Sequence, residues 1–328
     1  MKARQLGKSS LNLTLLGLGT WAIGGGDNPY GWGLQDDNDS LNTIHRAIDL
    51  GINWIDTAKG YGHGHSEEVV GKALQGRRDK VIVATKCGIL WKEDGSDIYG
   101  RLKADSIREE VESSLTRLRT DYIDLLQIHW PLPDEDIEEG WGEIARLVRS
   151  GKIRYAGVSN FNVSQLKRIE PIHPVTSLQP PYSMLHCDVE RELLPYCAEH
   201  QIGVIVYSPM QAGLLTGKFT RERAASLPAD DWRKNNPDFN EPQLSLNLEL
   251  VEKLAPIAAR NGQPVANLAL AWVLRRSEVT AAIVGSRKPA QIQETARAAD
   301  LVLDPTDLEQ IDGLLRERES KLVALLSS

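Results

Sequence analysis

Short apolar stretches rich in β-branched residues recur along the chain, set off by glycine, proline and polar positions. They are LTLLGLG (13–19), INWIDTA (52–58), KVIVATK (80–86), YIDLLQIHW (122–130), IRYAGVSN (153–160), VTSLQP (175–180), IGVIVYSP (202–209) and TAAIVGS (280–286). Their length and continuous hydrophobicity suit parallel strands buried on both faces. Helical patterns lie between them. Asp39 is placed to cap a helix carrying Leu41, Ile44 and Ile48, with Gly51 as its stop. Ser66 with Glu67 and Glu68 opens another that runs to Leu74, and Ser106 with Glu109 reads as a capping box ahead of Val111, Leu115 and Leu118. Trp141, Ile144 and Val148 mark a helix closed by Gly151; Val189, Leu193 and Cys197 mark one before Gly203; Pro289 stands at a first helical turn.

Eight strands alternating with helices predict an α/β fold, a (β/α)8 or TIM barrel spanning residues 1–328 as a single domain. A doubly wound sheet is the competitor, because Gly17-Leu18-Gly19-Thr20-Trp21-Ala22 matches GxGxxA after a strand. The next residues, Gly24 to Pro29, read as a loop and not as the apolar-periodic helix that the dinucleotide fingerprint requires. Residues 2–13, around Gly7-Lys8-Ser9-Ser10, read as a short β-hairpin preceding the barrel. The polar stretch 211–246 is long enough to be a lid or binding loop on the C-terminal face.

The chain has 328 residues, is 41% hydrophobic and carries a net charge of −7, so neither nucleic acid nor an anionic membrane is an expected partner. Three cysteines, Cys87, Cys187 and Cys197, form no CxxC pair, and no signal-type or membrane-length apolar run occurs. A cytoplasmic location is the expectation; oligomeric state is left open.

In such a barrel the reactive groups gather at the C-terminal ends of the strands. Those ends offer Thr20 and Trp21, Asp56, Lys86, His129, Ser159 and Asn160, Gln179, Tyr207, and Gly285 with Ser286. Asp56, Tyr61 and Lys86 together are the parts of a working general acid. A lysine ammonium lowers the pKa of a nearby phenol, and a carboxylate holds the ammonium in place. Taken singly, a residue placed like Asp56 is more often a strand-end turn cap, one like Tyr61 a packing aromatic and one like His129 a satisfied core histidine.

The segments DTAKGYGHGHSEEVVGKAL, IVATKCG, LLQIHWP, GVSNF, YSPMQAGLLTGK and IVGSRKPAQIQE closely resemble, in order and over essentially the whole chain, the aldo-keto reductases, most of all bacterial family 11. The resemblance implies reversible hydride transfer between NADP(H) and an aldehyde or ketone of open identity, with Asp56, Tyr61, Lys86 and His129 as the catalytic tetrad and Tyr61 the proton donor. It implies that Ser159, Asn160 and Gln179 grip the nicotinamide carboxamide and that Tyr207 stacks on the ring. Lys218, Gly285, Arg287, Gln291 and Glu294 would hold the phosphates and adenosine, with Arg233 a further phosphate contact. Thr20, Trp21, Asp56, Ser208, Pro209 and Gly213 complete the cofactor set. Arg287-Lys288 at a helix start suits a 2′-phosphate, which favours NADPH over NADH. Trp21, Trp32, Trp91 and Trp130 are candidates for the substrate pocket, or for loop packing. Lys59, two positions before Tyr61, and Ser286, where alanine is frequent, depart from the commonest pattern. His63 and His65 have no third ligand at metal spacing, so no metal is expected. Two rivals are a barrel lyase using Lys86 as a Schiff-base nucleophile and an NADPH-binding regulatory protein with incidental catalysis.

Overall fold

The computed structural model describes residues 1–26 and 28–327; Asp27, in the loop expected after Gly24, lies outside the described residues. An antiparallel hairpin, β1 (Ala3–Gln5) and β2 (Asn12–Thr14), comes first. Next are β3 (Leu16–Gly19), α1 (Asp37–Asp49), β4 (Trp54–Asp56), α2 (His65–Ala73) and β5 (Ile82–Cys87). A second small hairpin, β6 (Ile89–Trp91) with β7 (Ile98–Gly100), precedes α3 (Ala104–Leu118) and β8 (Ile123–Ile128). The alternation continues through α4 (Ile137–Arg149), β9 (Ile153–Ser159), α5 (Val163–Ile169), β10 (Ser177–Gln179), α6 (Leu193–His200) and β11 (Gly203–Val206). Three helices, α7 (Arg221–Ala225), α8 (Gln243–Arg260) and α9 (Val265–Leu274), separate β11 from β12 (Val279–Gly285), after which come α10 (Pro289–Thr295) and α11 (Pro305–Leu326).

Strands β3, β4, β5, β8, β9, β10, β11 and β12 pair in that order, all parallel, and β12 closes on β3. These are the eight apolar runs of the sequence, six of them only shortened, while β5 reaches one residue beyond its run and β12 begins one residue before it. No doubly wound sheet forms: after β3 the chain enters a 3-10 turn, Trp21–Gly24, and not a helix. Gly17 is glycine for a packing reason, since a Cβ there would overlap the Trp54 indole inside the barrel.

Two apolar layers follow from strand parity. Inside the barrel floor, Trp54, Ala84, Leu125, Ile205, Ala281 and Ile283 pack against Leu6, Leu11 and Leu13 of the N-terminal hairpin, which plugs that end. Outward-facing Ile55, Val83, Leu126, Val158, Leu178, Val204 and Val284 pack against the helices.

Several local readings need correction. Asp36, not Asp39, caps α1, its carboxylate accepting from the backbone N–H groups of Asn38 and Asp39. Ser66 does not cap α2; its buried hydroxyl bonds Thr20 across the barrel rim. The Ser106–Glu109 box is absent: α3 starts one turn earlier than it requires, and Ser106 turns its hydroxyl to Glu110 at 3.4 Å. Of the 211–246 stretch, α7, short 3-10 turns and the start of α8 take much, so it is less irregular than its polarity suggests. The β6–β7 hairpin has no counterpart in the sequence reading: unlike the equally short but fully buried β4 and β10, its strands are largely half-exposed and lie outside the eight apolar runs.

Candidate active site

Counting inward positions by twos from Trp54, Ala84 and Leu125 leads to Asp56, Lys86 and Gln127 at the opposite end of the barrel. Strand register brings them level: Asp56 pairs with Ala84 and Lys86 with Gln127. Asp56 and Lys86 are each 2% exposed, and the Lys86 ammonium donates to Asp56 Oδ1 at 2.5 Å, to the Thr57 carbonyl at 3.0 Å and to the Tyr61 hydroxyl at 3.1 Å. The second carboxylate oxygen of Asp56 accepts from Gln179 at 2.8 Å and from Gln127 at 3.3 Å. A buried charge pair is tolerable only when its remaining lone pairs are satisfied, and here they are.

Tyr61 enters from the turn after β4, and His129 from the end of β8; their rings meet edge to face, with centroids 5.8 Å apart. The crowded mouth pushes the Tyr61 pKa up; the Lys86 ammonium works downward against it without winning. The expected lowering by Lys86 is therefore present as an influence but not as the balance, because desolvating a phenolate costs more than one cation at this distance returns. Burial draws the Lys86 pKa down, but Asp56 and Tyr61 together outweigh it and hold the ammonium charged. Burial first, then the Lys86 charge, hold His129 well below its ordinary value, so its imidazole is neutral. The cluster can donate two hydrogen bonds, from Tyr61 and a neutral His129, to one oxygen in the mouth.

Lys59 does not act on Tyr61. It turns away to Glu110 at 3.7 Å. Nor do His63 and His65 converge: His63 stacks on Trp91 with centroids 4.0 Å apart, and His65 bonds Asp37 at 2.8 Å. Among the described residues no group of three or more His, Cys, Asp or Glu side chains is arranged to hold a metal.

The residues read as a nicotinamide grip do lie beside this cluster. Asn160, at φ 64°, donates to the His129 carbonyl and to Ser159 Oγ, both at 3.0 Å, and accepts from the Tyr207 hydroxyl at 2.8 Å. Ser159 in turn donates to the Gln179 carbonyl at 2.8 Å. Ser208 (φ 55°) and Gly213 (φ 102°) mark tight left-handed turns at the rim, and the space where Gly213 and Gly285 would carry a Cβ is open.

The cationic residues sort themselves differently. Lys218 is paired with Glu294 at 2.8 Å and Arg233 with Asp231 at 2.6 Å, while Gln291 caps the start of α10 by accepting from Arg287 N–H at 2.8 Å. Arg287 is held by neutral oxygens, those of Gln35 at 2.6 Å, the Trp32 carbonyl at 3.0 Å and the Leu34 carbonyl. Burial and then the charge of Arg233 keep its pKa below the ordinary arginine value. Beside it the buried Ser286 hydroxyl finds no partner among the described residues. An uncompensated guanidinium, an idle hydroxyl and open space at Gly285 fit a phosphate group.

Of the four tryptophans, Trp21 stacks between Tyr61 (6.3 Å) and Trp232 (5.3 Å), and Trp32 packs edge-on to Trp21 while lying under Arg233. Trp91 donates its indole N–H to the Gly60 carbonyl at 3.2 Å and so braces the Tyr61 turn. Trp130 is 40% exposed and joins none of these ring contacts. A cavity of about 590 Å³ opens beside them between Asn28, Tyr30, Asp230 and Trp232. Sequence reasoning missed Gln127, Trp232 and Glu110. Only Gln127 left a signal, a polar residue two positions before His129 in an apolar strand.

Comparison with known proteins adds the lineage. Residues 15–316 match the model of the Aldo/keto reductase family. The chain is 39% identical over 318 residues to aldo-keto reductase YhdN of Bacillus subtilis (strain 168), covering 96% of this chain and 94% of that one. It is 38% identical over 319 residues to the NADH-specific methylglyoxal reductase of Escherichia coli (strain K12), with 94% and 96% covered. The structure of glycerol dehydrogenase AKR11B4 from Gluconobacter oxydans superposes with a TM-score of 0.88 at 38% identity, covering 97% of this chain and 96% of that one.

Proposed function

The chain belongs to the aldo/keto reductase family, and on that premise we propose that it is an NADPH-dependent carbonyl reductase in which Tyr61 is the general acid. The bound nicotinamide would supply the hydride. As charge builds on the carbonyl oxygen, Tyr61 donates its proton and neutral His129 a hydrogen bond, a donor pair preorganised for that charge. Lys86 stabilises the tyrosinate left behind, and Asp56 keeps Lys86 charged and aimed. The observation that carries the reading is the Lys86 ammonium bridging Asp56 at 2.5 Å and Tyr61 at 3.1 Å. The same ammonium argues against a Schiff-base lyase, which needs a lysine with a lowered pKa, whereas that of Lys86 is raised.

Ser159, Asn160 and Gln179 would meet the carboxamide and Tyr207 the nicotinamide face. Arg287 and Ser286 would take the 2′-phosphate, which supports NADPH over NADH; Lys218 and Arg233 would first have to leave their carboxylate partners. Trp21 and Trp232 would wall the substrate. The three cysteines are unpaired and no helix of the described residues is long and apolar enough to cross a membrane, both compatible with work in the cytoplasm.

The test is cofactor consumption against a panel of aldehydes and ketones, with NADPH and NADH in parallel. Saturable turnover, better with NADPH, is expected. Tight cofactor binding without turnover on any carbonyl would overturn the reductase in favour of the regulatory alternative, and equal efficiency with NADH would remove the 2′-phosphate assignment.

A further inference from the structure

Behind the tetrad lies a carboxylate that the chemistry above does not use. Glu110, on α3, is 2% exposed. Both its oxygens accept from the backbone N–H of Gly88 at 3.2 Å, one also takes the Ser106 hydroxyl at 3.4 Å, and the Lys59 ammonium stands 3.7 Å away. Gly88 lies two residues after Lys86 at the end of β5, and Lys59 precedes Tyr61 by two in the turn after β4. One buried group thus ties together the two segments that deliver the reacting pair. A carboxylate so placed is costly to bury and is weak evidence for stability by itself. A hydrophobic residue would fill the space, but it could not hold both backbone segments at once.

We propose that Glu110 is a positioning residue for carbonyl reduction: its charged carboxylate clamps the Lys59–Tyr61 turn and the Lys86–Gly88 strand end in the register at which Tyr61 and Lys86 meet. The proposal rests on the reductase reading above. Burial pushes the Glu110 carboxyl up to about 7, while Lys59 and the Gly88 N–H pull it down. The other groups facing it are the Cys87 thiol, which burial and Glu110 together keep protonated, and Glu67 on α2. Glu67 is itself held by Arg117 and by Thr85, the residue before Lys86. The clamp is therefore half charged near neutrality. As pH falls through about 7 the carboxyl takes a proton, the attraction for Lys59 is lost, and turnover falls with it.

The experiment measures kcat and KM for a carbonyl that the wild-type enzyme reduces, from acid to alkaline pH, in the wild type, Glu110→Gln and Lys59→Met, alongside cofactor affinity and melting temperature. Glu110→Gln keeps an acceptor for Gly88 but no charge. It is expected to lower kcat about tenfold, equivalent to ~1.4 kcal/mol, with cofactor affinity within about twofold, and to abolish the inflection near pH 7. Lys59→Met, which keeps the carboxylate, is expected to move that inflection upward. A Glu110→Gln enzyme with the wild-type pH profile overturns the proposal, as does a loss of kcat that tracks only a lowered melting temperature. If Glu110→Gln does not fold, an unshifted inflection in Lys59→Met overturns it instead. Should the wild type reduce no carbonyl, the reductase reading fails separately. The clamp is then read by NMR of 13C-tyrosine, with the Tyr61 signal assigned through Tyr61→Phe. That signal should sense an inflection near pH 7 in the wild type and lose it in Glu110→Gln; a signal identical in both overturns the clamp.

Discussion

At Tyr61 two effects of opposite sign meet, and the larger is burial. The hydroxyl stays protonated through the neutral range and is available as a donor, while Lys86 at 3.1 Å reduces the cost of letting the proton go. Tyr61→Phe should therefore lower kcat by roughly 10²–10⁴, the usual contribution of a positioned acid. Cofactor affinity should barely change, since in the proposed mechanism the hydroxyl serves the substrate oxygen; steady-state kinetics with a direct binding titration check both parts. If Arg287 takes the 2′-phosphate as proposed, Arg287→Ala should weaken NADPH binding about tenfold or more beyond any loss of NADH binding, the excess measuring that charge-assisted contact. Its hold on the Trp32 and Leu34 carbonyls predicts some loss for both cofactors, so the ratio is the informative quantity. Residue types and strand-end position singled out Asp56, Tyr61 and Lys86 as a candidate acid, while His129 joined them only through the family resemblance. Direction was not legible in the same way: Lys59, near Tyr61 in sequence, points to Glu110, and Lys218 is occupied by Glu294.

Elements were easiest to read where burial dictates their pattern. All eight barrel strands were visible because a strand covered on both faces must be apolar throughout. Helix starts were harder. Asp36, Asp37 and Asp39 are all competent caps, and Asp36 is the one whose extended backbone aims its carboxylate at the Asn38 and Asp39 N–H groups. Asp36→Ala should cost about 1 kcal/mol and Asp39→Ala much less, by denaturant unfolding. The N-terminal hairpin was legible as a hairpin, but nothing in its pattern announced that it plugs the barrel. Leu13 is 1% exposed in that plug, and Leu13→Ala should destabilise by roughly 2–5 kcal/mol. The same unfolding measurement tests it, with activity at low temperature preserved because the plug lies at the end opposite the tetrad.

For the molecule as a whole, two buried groups bend the stability curve in opposite senses. His129 has its folded pKa depressed from 6.5, so the unfolded chain binds the extra proton and stability is lost as pH falls below that value. Glu110 has its folded pKa raised from 4.5 to about 7, so its contribution is full below 4.5 and is lost as pH rises toward 7. The melting temperature of Glu110→Gln, compared with the wild type, should therefore gain steadily across that window and level off above it. A constant difference would mean that Glu110 ionises as an ordinary exposed carboxylate.

Local pattern was enough to specify the barrel and to mark the polar groups at its strand ends as candidates for a site. Strand count and the period of two decide which side chains face inward, and hydrophobicity decides how long each strand is; both are local properties. The partners were settled by tertiary packing alone: Glu110 with Gly88 and Lys59, Arg287 with the loop at 32–35, Trp232 against Trp21. These contacts join segments distant in sequence, and barrel closure sets their separation. Each is chosen by competition among several acceptable partners, so no local pattern could name the winner.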